Sequence, residues 1–216
     1  MNSILHKANH LLLAWSPILI VICSFILLSV SFIILFGCKS RYKQGNLDDK
    51  ELDRIEYRLN FPLALSSISM IINCFLFGCI LVGTYGFDAP FSPLGVLTFV
   101  ISLALIVVIQ KLIVDLEKMI NPEKRGSVFD QNFAKVWEAS CDEAERLMIY
   151  KSSYESFKAT NMTCIVLWVV LTLCNIVFVT GILPILTVTL IWLVQTLSYT
   201  VAAMRLERLG MRKNEE

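Results

Sequence analysis

The stretch ATNMTCIVLWVVLTLCNIVFVTGILPILTVTLIWLVQTLSYTVAAM, from Ala159 to Met204, contains no Asp, Glu, Lys or Arg. A bilayer core about 30 Å thick is crossed by about 20 helical residues, so this stretch is long enough to cross twice. Gly181-Ile182-Leu183-Pro184, near its middle, supplies the break between the two crossings. Three other uncharged runs lie upstream, from Ala8 to Cys38, from Phe61 to Phe87 and from Ala89 to Gln110. Each fits one helix. A charged side chain at the centre of a span costs roughly 2.5–3.5 kcal/mol on the insertion scale, which accounts for the charge-free runs. The expected spans are 14–37, 62–84, 93–113, 161–180 and 184–204.

Composition agrees. The 216-residue chain is 56% hydrophobic and 17% charged, against about 25% charged in a typical soluble domain. Its mean hydropathy is +0.67. The fold class is therefore all-α: an integral membrane helical bundle of about five transmembrane helices, with 1–216 as a single membrane domain. Pro62 and Pro93 are expected in first helical turns, where a missing N–H is harmless. Asn121-Pro122 should stop the third helix.

Charge placement sets an orientation. On the five-span reading, all of the 19 Lys and Arg residues but Lys7 fall on one face. The positive-inside rule then puts that face in the cytoplasm, with the N-terminus outside and the C-terminus inside a cell membrane. The N-terminal run is too long for a signal peptide, and Cys38-Lys39 is a poor cleavage site. A partly buried helix over 3–14 is the main complication.

The cytosolic helical segments are 38–61 and 114–160. In the first, Asp48 or Asp49 can cap a short amphipathic helix bearing Leu52, Ile55 and Leu59. In the second, Val128, Phe129, Phe133, Val136 and Trp137 mark a short amphipathic helix. Ser140 or Asp142 then opens another that runs unbroken into the fourth span. These segments should pack together against lipid headgroups. Glu143, Glu145 and Arg146 are the candidate docking residues for a protein partner. Glu51-Leu52-Asp53-Arg54-Ile55 resembles Glu143-Ala144-Glu145-Arg146-Leu147, and each opens a charged helix leading into a hairpin. That layout is the one expected of two parallel repeats.

Polar residues inside the spans form stripes at helical spacing: Ser66, Ser69 and Asn73; Asn161, Cys164, Trp168, Thr172 and Asn175; Thr187, Gln195 and Ser198. Asn73, Asn161, Thr172, Asn175 and Gln195 are candidates for helix packing or for lining a substrate path. Interhelical hydrogen bonds contribute about 0.6 kcal/mol each on average. No acid, base or histidine sits at mid-membrane depth, so no catalytic residue is assigned. No cofactor or metal site is assigned either. His6 and His10 have i, i+4 spacing but no third ligand nearby, and read as interfacial. The seven cysteines are expected to be free thiols. A net charge of +1 argues against nucleic acid as a partner.

Asn121-Pro-Glu-Lys-Arg-Gly126, Trp137-Glu-Ala-Ser-Cys-Asp-Glu-Ala-Glu-Arg146, Ile149-Tyr-Lys-Ser-Ser-Tyr154 and Phe157 form a distinctive series. Together with Gly181-Ile-Leu-Pro-Ile185 and Ile191-Trp-Leu-Val194, it resembles a family of uncharacterised bacterial multi-pass membrane proteins. That family is found mostly in Gram-positive species and is defined only as a domain of unknown function. The resemblance is good over about the last hundred residues and extends to the first half only in layout. It implies a helical membrane protein and brings no catalytic residues with it. The expected role is non-enzymatic: an accessory, regulatory or self-protection component acting through a protein partner or as a homo-oligomer in the lipid bilayer. The alternative is a permease-like transport subunit working with a separate ATPase or as an oligomer.

Overall fold

The computed structural model describes the backbone of residues 2–45, 47–86, 92–178 and 181–214, and side chains between 11 and 206 within those ranges apart from residue 86. The His6 and His10 side chains, and those of the proposed 3–14 helix up to residue 10, lie outside the described residues. The elements are α1 (Asn2–Lys43), α2 (Asp49–Gly86), α3 (Pro93–Ile120), α4 (Phe133–Ala139), α5 (Glu143–Phe178) and α6 (Leu183–Asn214). No strand occurs among the described residues. All but α4 are long and apolar enough to cross a membrane, which is the make-up of a multi-pass membrane protein. The chain divides into two compact units, Ser3–Cys141 and Asp142–Glu216.

In the first unit the buried positions of α2 are Ile55, Leu59, Pro62, Ser66, Ser69, Asn73, Leu76, Ile80 and Gly83. Steps of four and three alternate without exception, a period near 3.5 residues. That period keeps one seam facing its neighbours along the whole helix, as in a left-handed coiled coil. α3 follows the same rule through Ser102, Ile106, Ile109, Ile113 and Leu116. α1 contributes Ser16, Ile20, Ser24, Leu28, Ser31, Leu35 and Cys38. Leu28, Leu35 and Cys38 pack with Ile55 and Leu59 of α2 and with Ile106, Ile109, Ile113 and Leu116 of α3. Further along, Ile20 meets Leu76 and Ile80. The Phe77 and Phe99 rings stack at 4.1 Å between α2 and α3.

Helix ends follow local chemistry. Ser92 caps α3, its Oγ accepting the Gly95 N–H at 3.2 Å, with Pro93 in the first turn. Asn121 ends α3. Asp142 and Glu145 form a reciprocal capping box at the start of α5. The Glu145 N–H donates to Asp142 Oδ1 at 2.7 Å, and the Asp142 N–H donates to Glu145 Oε2 at 3.0 Å. α5 then runs unbroken into its apolar half, and Gly181, at φ +85°, stands in the turn before α6.

Two expectations need correction. Pro62 does not open a helix; it lies inside α2, which begins at Asp49, so the expected short helix before the second span is the first turns of that span. A proline forfeits one backbone hydrogen bond, and packing on neighbouring helices offsets the loss in membrane helices. Here Pro62 is buried and its carbonyl accepts from Ser31 Oγ at 3.0 Å. The second correction concerns 128–137, where the helix begins only at Phe133. Ser127 and Asp130 divert the preceding backbone into turns. The Asp130 N–H bonds Ser127 O, the Phe133 N–H bonds Asp130 O, and Asp130 Oδ1 takes the Asn132 N–H.

The second unit is the α5–α6 hairpin. Phe157 stacks on Tyr199 at 4.6 Å, and Cys164 is the buried residue of α5. Most other side chains of the pair are exposed.

Gly95 is packed tightly against α2, since a Cβ there would stand 2.6 Å from Ile80 Cδ1. Gly95→Val is expected to destabilise the protein by about 1–3 kcal/mol through overpacking. Gly78→Ala, where a Cβ meets nothing within 4 Å, should leave stability unchanged or slightly raised. Thermal melting of the two purified variants in one detergent checks the contrast.

Candidate functional site

An amide or hydroxyl placed among apolar side chains needs a partner, because leaving it bare costs roughly 1–3 kcal/mol by protein mutational data. Asn73, inside α2, is fully buried in the first unit. Its Oδ1 accepts from Ser24 Oγ of α1 at 2.7 Å, and its Nδ2 donates to Ser69 Oγ at 3.3 Å. This is a small polar cluster that ties α1 to α2. Of the other buried serines, Ser31 donates across to the Pro62 carbonyl of α2, whereas Ser16, Ser66 and Ser102 donate to Leu13 O, Leu63 O and Thr98 O of their own helices.

The remaining polar residues of the predicted stripes lie in the second unit. Asn161 Oδ1 accepts from the Trp192 indole N–H, and Gln195 Nε2 donates to the Phe157 carbonyl at 3.0 Å. Both bonds join α5 to α6. Gln195 Oε1 is buried with no partner among the described residues. Asn175 does something different: its Oδ1 accepts the Gly181 N–H at 2.9 Å and fixes the turn. Thr172 donates to the Trp168 carbonyl at 2.8 Å, within its own helix. Thr163, Thr187, Thr189, Thr196 and Thr200 do likewise with the carbonyl four residues back. Asn175 and the Phe157–Gln195 contact are separated by roughly 27 Å along α5, at 1.5 Å per residue.

The charged end of the first unit is the other concentration of polar contacts. Tyr42 OH donates to Met119 O at 2.7 Å, joining the ends of α1 and α3. Arg41 pairs with Glu51 at 2.8 Å across the α1–α2 turn. Asn121 Nδ2 donates to Glu56, and Lys118 Nζ donates to Gly126 O. Gly126 has φ +116°, and a Cβ there would press on the Phe133 ring. Lys124 is buried at 6% exposure, with Nζ 3.4 Å from Cys141 Sγ and above the Trp137 ring. A groove of about 440 Å³ opens between Lys39, Tyr42, Lys43, Leu47, Leu52 and Met119.

Of the candidate docking residues, Glu143 and Arg146 are exposed, whereas Glu145 is half-buried in the capping box. Ser24, Trp192, Tyr42 and the Lys124–Cys141 pair were not singled out by sequence reasoning. The recurrence of serine at 16, 24 and 31 was a usable signal for the face of α1. Nothing in the linear order pointed to the other three.

Ser24 and Asn73 are expected to be energetically coupled. A double-mutant cycle with Ser24→Ala and Asn73→Ala, read by reversible unfolding in bicelles, should give a coupling of about 0.6 kcal/mol, with about 1.7 as the ceiling. Strict additivity would mean that the contact is not formed in the bilayer.

Comparison with known proteins gives one match. Residues 3–203 fit the family described as "Protein of unknown function (DUF3169)". The match thus takes in the first half of the chain as well as the last hundred residues. No curated protein and no solved structure matches. A chain built as two α-helical units with five helices able to cross a membrane, matched over nearly its whole length, belongs to the DUF3169 family.

Proposed function

We propose that this chain is a non-enzymatic component of the cell membrane that acts through a protein partner, in an accessory, regulatory or self-protection role. Its N-terminus is outside and its C-terminus cytoplasmic. The orientation rests on the confinement of Lys and Arg, Lys7 apart, to one side of the five long helices.

The observation that carries the partner reading is the first half of α5. Before its apolar run this helix presents Leu147, Met148, Tyr150 and Tyr154, each more than half exposed, among Glu143, Arg146, Lys151, Glu155 and Lys158. An apolar row framed by charge on a helix projecting from a membrane is a surface built to be covered. The second unit also lacks what the first has. There α1 lies against the α2–α3 hairpin, whereas α5 and α6 have no third helix in their unit among the described residues. Protection against a membrane-active peptide is one form of such a role, with the peptide itself as the partner.

The transport reading draws less support. Asn73 is occupied by Ser24 and Ser69, and Asn175 and Gln195 serve opposite ends of the α5–α6 hairpin.

The test is site-specific photocrosslinking from Leu147 in intact membranes. The expected result is an adduct of defined mass that disappears when Glu143→Lys and Arg146→Glu are combined, at an unchanged membrane level. Glu145 is left alone because its substitution would remove the cap of α5. An adduct that persists in the charge-reversed variant would overturn the assignment of this surface.

A further inference from the structure

The groove at the charged end of the first unit sets two lysines over an apolar floor. Lys39 and Lys43, one turn apart near the end of α1, line it together with Tyr42, Leu47, Leu52, Leu116 and Met119. Neither lysine has a hydrogen-bond or ion-pair partner among the described residues. No carboxylate lines the groove. The nearby Glu51 is held by Arg41, and Asp48 Oδ1 takes the Asp49 N–H. The rim is therefore cationic and the floor apolar.

Depth decides what such a groove can hold. Lys39 is the first charged residue after the uncharged run that ends at Cys38, so it stands where hydrocarbon gives way to headgroups. On α1 the stripe Phe32, Phe36, Lys39, Lys43 advances in steps of four, three and four, which places all four on one face. Phe32 and Phe36 stack at 5.8 Å immediately below the lysines, and Phe36 is exposed. A cationic step above an apolar aromatic step, in line along the membrane normal, matches the order of phosphate and acyl chain in a phospholipid.

We propose that this groove is a binding site for one anionic phospholipid, with Lys39 and Lys43 on its phosphate and the Phe32–Phe36 pair against the start of an acyl chain. The Tyr42–Met119 and Arg41–Glu51 bonds hold the walls, so the site is preformed. A bound lipid there bridges the ends of α1 and α3 and the turn into α2. The proposal is independent of the partner role of α5, because the site lies in the other unit.

The experiment uses the full-length protein, delipidated in detergent and titrated with phosphatidylglycerol or phosphatidylcholine of the same chains under native mass spectrometry. Wild type is expected to hold one phosphatidylglycerol roughly ten- to thirtyfold more tightly than phosphatidylcholine. Lys39→Gln with Lys43→Gln should weaken phosphatidylglycerol by roughly ten- to thirtyfold, the scale set by two lysines at an anionic surface, and leave phosphatidylcholine unchanged. Lys39→Arg with Lys43→Arg should retain the preference, which separates lost charge from lost folding. Lys151→Gln with Lys158→Gln, on α5, should have no effect. Equal weakening by the α5 pair, or no headgroup preference in wild type, would overturn the site. If free glycerol phosphate displaces the lipid at comparable concentration, the groove serves a soluble phosphate and the lipid assignment fails.

Discussion

A polar group carried into hydrocarbon must bring its partner with it, and the rest of this molecule follows from that constraint. Charge leaves the long runs entirely. The backbone closes on itself as helix. Threonine hydroxyls, which face outward on α5 and α6, turn back to carbonyls of their own helix. The carboxamides, which cannot be satisfied so locally, join helices or fix a turn, Asn73 to Ser24, Asn161 to Trp192, Gln195 to Phe157 and Asn175 to Gly181, and the Ser31 hydroxyl reaches across to the Pro62 carbonyl.

The two units answer the constraint to different depths. In the first, the seams of α2 and α3 keep a 3.5-residue period, and α1 lays serines and aliphatic residues against them. Small side chains at Ser24, Ser31 and Gly95 let the helices come close enough for dispersion to act, in the absence of a hydrophobic driving force between helices. The second unit has a single buried residue on α5, and α5 and α6 meet at Asn161–Trp192, Phe157–Gln195 and Phe157–Tyr199. Its apolar surface is left to its surroundings. That asymmetry underlies the division of labour proposed above: a packed unit that takes a lipid at its charged end, and an open hairpin whose leading helix meets a partner.

Much of the fold was legible because it is written in long-range composition. The uncharged runs, Ser92-Pro93 at the start of α3, Asn121-Pro122 at its end and Gly181-Ile-Leu-Pro184 between α5 and α6 all act locally, and each works as its residues imply. Pro62 misled for a physical reason. A proline inside a helix forfeits its bond to the carbonyl four residues back, and the burial of Pro62 among neighbouring helices, which the linear order does not show, offsets that loss. The 128–132 stretch misled because its apolar spacing was helical while Ser127 and Asp130 claimed the backbone for turns. At the candidate sites, the amides were visible as stripes, but which amide met which partner was not. Ser24 with Asn73, and Tyr42 with Met119, are matters of register between helices, and register is set by packing rather than by any one residue.

The five-span topology fixes which face of the membrane each connection occupies. Small epitope tags inserted after Asp88 and after Asp130, and one at the C-terminus, can be probed with antibody in intact and permeabilised cells. With that topology the tag after Asp88 is reached in intact cells, and the other two are reached only after permeabilisation. Tags after Asp88 and Asp130 found on the same face would contradict it, since α3 would then not cross the bilayer.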